Sequence, residues 1–171
     1  YVRVIALNAF GGSVGSVEII VNVGASSTDR VIITFDDLAG VTNRSPVTTY
    51  TESNFALPTT AQNWEALTTY GNPAPFIQFS RLSSQGALTG EVTITSAGSL
   101  FTFESVDVYS SVTTIPHEVI GLRAGAIVFA FSGTVPNTFG AFATVMNTQP
   151  LAEIDTLLIR ITNPAVVCCN N

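Results

Sequence analysis

Asp36 and Asp37 are adjacent carboxylates, and Asp107 is a third acid on an expected strand. Hard cations such as calcium take several oxygen ligands. Asp36, Asp37 and Asp107 could supply such oxygens, and Ca2+ is the only cofactor these residues suggest; acids solvated at a turn are the alternative. His117 is the single histidine. His117-Glu118 opens like a zinc-binding HExxH, but Gly121 stands where the second histidine belongs. No nucleophile-elbow sequence accompanies it, so it reads as an exposed strand residue after Pro116. Glu65, Glu91 and Glu104 fall on expected strands. Hydrolysis of a glycoside needs two carboxyl groups ~5 to 10 Å apart, a distance that spacing in sequence alone does not assign to any two of them. Trp64, Tyr70 and Tyr109 have rings that could form a glycan platform or fill a sandwich core. Cys168-Cys169 places two thiols on Cα atoms ~3.8 Å apart, closer than the ~4.4 to 6.8 Å of an unstrained disulfide. With no other cysteine in the chain, the expectation is disulfides to another molecule, against an unpaired or vicinally bonded tail.

Composition narrows the classes. The 171 residues are 46% hydrophobic and only 11% charged, the reverse of a disordered chain, and enough for one domain with a core. There is no lysine, and the net charge of −6 argues against nucleic acid as a partner, which requires a basic patch, and against an anionic membrane surface. Residues 124–152 carry no charge. Ser132, Pro136 and Asn137 interrupt them and their alternation has period two, so no membrane-inserted helix is expected.

The elements that must position these residues all read as strands. Leu100–Ser110 looks like the central one. Phe101 and Phe103 share a face, while Val106 and Val108 have the opposite parity, so a β-bulge is expected near Glu104–Ser105. At the N-terminus, Val2–Phe10 and the alternating Val17, Ile19, Val21 and Val23 flank Gly11-Gly12-Ser13-Val14-Gly15, which reads as a hairpin turn and not a phosphate loop. Residues 38–62 read as surface loop with one short strand near Thr48–Thr51. Trp64–Tyr70 and Phe76–Leu82 are separated by Gly71-Asn72-Pro73. Strands over Glu91–Ser96, His117–Arg123, Ile127–Ser132, Phe139–Met146 and Ile154–Thr162 follow. Apolar residues of both parities in Ile127–Ser132 imply a strand covered on both faces. Roughly eleven short strands without a helical stripe predict an all-β fold, a two-sheet antiparallel β-sandwich of jelly-roll type. Residues 1–30 read as an N-terminal hairpin or donor-strand extension, and 31–171 as the sandwich.

The runs ITFDDLAG, FTFESVDVYSS, VIGLRAGAIVFAFSGTVPNTFGAF and IDTLLIRITN resemble secreted bacterial β-sandwich domains found in PEP-CTERM exosortase substrates, which are similar to carbohydrate-binding modules. The resemblance covers about residues 31–164 and implies a sandwich at the cell surface or beyond. Those domains finish with a short Leu-Asp-Asn-Ile strand. Here Asn163-Pro164-Ala165-Val166-Val167-Cys168-Cys169 stands instead, while about thirty residues precede the family-like start. A sandwich lacking a strand exposes unpaired backbone, which a neighbour's strand can fill.

The expected function is therefore a non-catalytic, secreted structural subunit, its partners copies of itself, assembled into a filament or surface matrix. The expected assembly strand is Val2, Val4, Ile5 and Leu7, or Val17, Ile19, Val21 and Val23. A calcium-stabilised polysaccharide-binding module is the alternative.

Overall fold

A computed structural model describes residues 18–23, 30–60, 63–69, 74–79, 86–108, 110, 113–138 and 141–164. Tyr70, Tyr109, Val2, Val4, Ile5, Leu7, Val17, Cys168 and Cys169 lie outside these residues. So do most of the N-terminal extension and the possible disulfides.

The chain is all β, in antiparallel sheets. Its strands are β1 (Glu18–Val23), β2 (Arg30–Ile33), β3 (Thr49–Glu52), β4 (Phe55–Thr60), β5 (Trp64–Leu67), β6 (Phe76–Phe79) and β7 (Leu88–Ser96), followed by β8 (Phe101–Val108), β9 (Ile115–Arg123), β10 (Ala126–Val135), β11 (Ala143–Met146), β12 (Glu153–Ile154) and β13 (Thr156–Asn163). One sheet runs β11-β8-β1-β2, with β12 also on β8; the other runs β10-β9-β13-β7-β4-β3. β5 and β6 form a separate hairpin.

The two sheets close on an aromatic core. Phe101 on β8 meets Phe55 on β4 edge to face at 5.2 Å, and Phe103 stacks with Phe129 on β10 at 6.4 Å. Alternation supplies the inward side chains. Val92 and Ile94 on β7 and Leu157, Ile159 and Ile161 on β13 are all buried. The β5–β6 hairpin lies on β7 because Gly90 leaves room for it; a Cβ there would come within 2.6 Å of the Phe79 ring and 2.8 Å of Trp64.

The bulge in β8 is present where the change of parity places it. β1 pairs Ile20 with Ser105 and Val21 with Phe103, skipping Glu104, and Phe103 and Val106 are both buried. On the other edge of β8, β11 covers Ser105–Val108 and β12 covers Phe101–Thr102. Asn147 fills the gap between them: its backbone N–H donates to Glu104 O at 2.8 Å and its side-chain amide to Phe103 O at 2.9 Å. The carbonyls at the irregularity are thereby satisfied, as buried backbone must be.

Three expectations are corrected. Residues 38–62 are not mainly loop. Asp36–Gly40 forms a short 3-10 helix, and β3 and β4 make a hairpin through Ser53 and Asn54, both at positive φ, as a tight two-residue turn requires. His117 is not exposed: it is 9% accessible and shares the inward face of β9 with Ile115 and Val119. Finally, β10 is not covered on both faces. It is an edge strand, and Ile127 is 66% exposed.

Candidate functional site

The sequence candidates for chemistry are scattered. Asp36 and Asp37 are exposed in the 3-10 helix after β2, whereas Asp107 sits in β8 opposite Thr144 and Glu18. Among the described residues, no group of three His, Cys, Asp or Glu side chains is gathered to hold a metal, so the three aspartates form no calcium cage. The glutamates are each engaged by an arginine. Glu65 meets Arg44 at 3.0 Å and Glu104 meets Arg30 at 3.1 Å. On the six-stranded sheet Arg160 bridges Glu91 at 2.6 Å and Glu118 at 2.9 Å. The hydrogen bonds from Glu91 and then Glu118 hold the Arg160 guanidinium above its already high range. The three candidate glutamates stand on β5, β7 and β8, in three different sheets.

Trp64 offers no platform for a sugar. It is 2% exposed, packs on Phe79 at 5.0 Å, and donates its indole N–H to Thr60 O. Its parity with buried Ala66 carries that placement. Above it, a cleft of about 320 Å³ is lined by Arg44, Thr48, Thr59, Asn63 and Glu65 among others.

His117 is a core residue whose Nδ1 has no hydrogen-bond partner, and burial lowers its pKa from 6.5. Folded chains therefore keep it neutral while unfolded chains take up a proton as pH falls below about 6.5. Stability is expected to hold above that pH and to decline beneath it. Urea midpoints between pH 7.5 and 5.5 should fall in the native chain and flatten in His117→Leu; equal slopes would contradict this account of the histidine.

What the fold does bring together is backbone. One pair of sheet ends, β2 and β3, is closed by a side chain that the sequence reading missed. The Glu52 carboxylate accepts from the N–H of Thr34 at 2.9 Å, the N–H of Phe35 at 3.1 Å, the Thr34 hydroxyl at 3.1 Å and the Tyr50 hydroxyl at 2.9 Å. Burial first, then Glu52, pushes the Tyr50 hydroxyl far above its usual pKa. The same contacts hold Phe35 at φ 61, a conformation a bulky residue adopts only when its surroundings impose it. The sequence signal was the i, i+2 spacing of Tyr50 and Glu52 on one strand face.

The other sheet ends are different. β10 and β11 both come from the charge-free stretch 124–152. An ion pair brackets that stretch, Arg123 to Glu153 at 3.2 Å. Asp155 accepts the N–H of Ala124 at 2.6 Å, which, with the Thr156 hydroxyl, draws its carboxyl below the usual range. Among the described residues, four of the five exposed large hydrophobics, Ile127, Val128, Met146 and Leu151, fall within this stretch.

β1 makes the third backbone feature. It lies between β8 and β2, paired over Glu18–Val23 with one and over Ile19–Asn22 with the other. Only residues 24–29 join it to β2. Ile19, Val21 and Val23 are thus placed within a sheet of their own chain, and the boundary expected at residue 30 falls at the first residue of β2. Comparison with known protein families, curated proteins and solved structures finds no match for this chain. No helix among the described residues is long and apolar enough to cross a membrane.

Proposed function

We propose that this protein is a non-catalytic, secreted structural subunit that polymerises by strand complementation. β1 of one copy fills the slot between β8 and β2 of the next. The observation that carries this reading is the position of β1. β1 stands inside a sheet, between β8 and β2, and is joined to β2 by six residues. A slot of this kind accepts the same segment from its own chain or from a neighbour with the same contacts. The filled single chain and the exchanged polymer then differ mainly in the connecting segment and in effective concentration, which for a short tether is in the millimolar range. A head-to-tail exchange need not close on itself and extends into a filament. The likeness to secreted surface domains supports the extracellular setting.

The connecting segment tests the idea. Deleting Gly24–Thr28 leaves Val23 and Asp29 to turn the β1–β2 hairpin. A two-residue turn of the favoured type needs positive φ at both positions, which a β-branched valine resists. The deletion should drive β1 into a neighbour and raise the polymeric fraction in sedimentation and negative-stain images. A deleted chain that stays monomeric and folded would count against the proposal.

Polysaccharide binding remains the second reading, favoured by the cleft beside Arg44, Asn63 and Glu65, whose polar groups suit hydroxyls. Retention of the monomer on an immobilised glycan, lost in Asn63→Ala, would support it.

A further inference from the structure

We propose that two copies of this chain also pair edge to edge through β10, antiparallel, about a two-fold axis at Ser132. β10 is ten residues long and has neither charge nor proline. Among the described residues nothing pairs with its outer edge. Sheets ordinarily blunt such an edge with a charge, a proline, a bulge or shortness. β11 and β2 are four residues long, and β3 is four residues with a glutamate at its end. β10 has a single such device, the register shift between Ile127 and Phe129 at one end. Phe129–Val135 is left as seven regular residues, paired on one side with β9 and with no ladder partner on the other among the described residues.

The occupant is a second copy because of charge and shape. Each chain carries −6, so copies repel least where they present few free charges; β10 itself has none, and Glu118, across from Ser132 on β9, is neutralised by Arg160. Antiparallel pairing makes a strand its own complement, Phe129 opposite Val135 and Ser132 opposite Ser132. The outward residues Ala130, Ser132 and Thr134 are exposed and small, so two copies approach without a clash. The six-stranded sheets of the two copies then run on as one. This contact is separate from strand exchange, since β10 is equally free whether β1 fills its own slot or a neighbour's.

The test uses the full chain carrying Cys168→Ser and Cys169→Ser, so that no native thiol interferes. Ser132→Cys should crosslink to a covalent dimer under mild oxidation, whereas Thr51→Cys on the β3 edge should not. In sedimentation equilibrium, Ser132→Lys, which sets two cations against each other at the axis, should weaken dimerisation about tenfold or more, and Thr51→Lys should leave it unchanged. Thermal unfolding confirms that each exposed-site variant is folded. A folded Ser132→Cys chain that yields no covalent dimer, or a Ser132→Lys chain that dimerises as tightly as its parent, overturns the proposal. The crosslink reports β10 alone, so it reads the same whether or not β1 exchanges.

Discussion

Excising residues 1–24 is expected to abolish filaments and to leave a chain that folds only when β1 is returned. The reason is the place of β1 in its sheet. Removing it breaks two ladders at once, six positions against β8 and four against β2. It also uncovers the inner edge of the strand that carries Phe101, Phe103 and Val106, all buried. A ladder hydrogen bond contributes about 0.5 to 1.5 kcal/mol net, so the loss is comparable with a small domain's whole stability of about 5 to 15 kcal/mol. A synthetic peptide covering residues 16–24 should restore a cooperative melting transition in proportion to its concentration. Filaments formed by the truncated chain, or a melting temperature unchanged by the peptide, would contradict this picture.

Phe129→Ala should be the most damaging single substitution in the edge strand, destabilising the fold by about 3 to 5 kcal/mol. Phe129 and Val135 are the only buried side chains on β10. The Phe129 ring stacks with Phe103 across the sandwich and with Phe131 along its own strand, at 6.4 and 6.2 Å. It also lies over Gly121 on β9, where a Cβ would run into the ring. Truncation removes the wedge that joins β10 to the opposing sheet and leaves a cavity bounded by Gly121, which has no side chain to fill it. Urea denaturation would read the loss, and a change below ~1 kcal/mol would mean that the strand is held by its ladder to β9 instead.

Much of the fold was legible in the chain because alternation maps directly onto burial. The parity change between Phe103 and Val106 located the bulge in β8, and Leu157, Ile159 and Ile161 marked the inner face of β13. The errors share a cause. Apolar residues of both parities in β10 implied cover on both faces, but the pattern equally fits an edge strand with Phe129 inside and Ile127 outside. Composition cannot say which strand ends a sheet, because that is decided by pairings between distant segments. His117 was legible by parity with Ile115 and Val119, yet its type suggested the surface. Trp64 was legible in the same way, by parity with Ala66. β4 was hidden by Pro58 and the neighbouring threonines, which resemble a loop, although Phe55 and Leu57 alternate inward. The i, i+2 spacing of Tyr50 and Glu52 marks a shared strand face but not its target, since the contact with Thr34 and Phe35 joins the ends of two sheets that meet only in the folded chain.

Several of the residues first considered for chemistry have structural partners. Glu65, Glu91 and Glu104 each hold an arginine, and Trp64 is core. Among the described residues, the outer edge of β10 and the exposed side chains Ile127, Val128, Met146 and Leu151 are what the fold leaves without a partner strand or a place in the core. They support a reading in which copies of the chain recognise one another through strands and not through side-chain chemistry.

One measurement reaches the centre of that reading. Asn22 on β1 stands opposite Thr102 on β8, close enough for a cross-strand disulfide. A chain carrying Asn22→Cys and Thr102→Cys, with Cys168 and Cys169 replaced by serine, is oxidised in its assembled state and run on a denaturing, non-reducing gel. Strand exchange predicts a ladder of covalent multimers, because each bond joins β1 of one copy to β8 of the next. A single band of monomer crosslinked within itself would show that β1 never leaves its own chain.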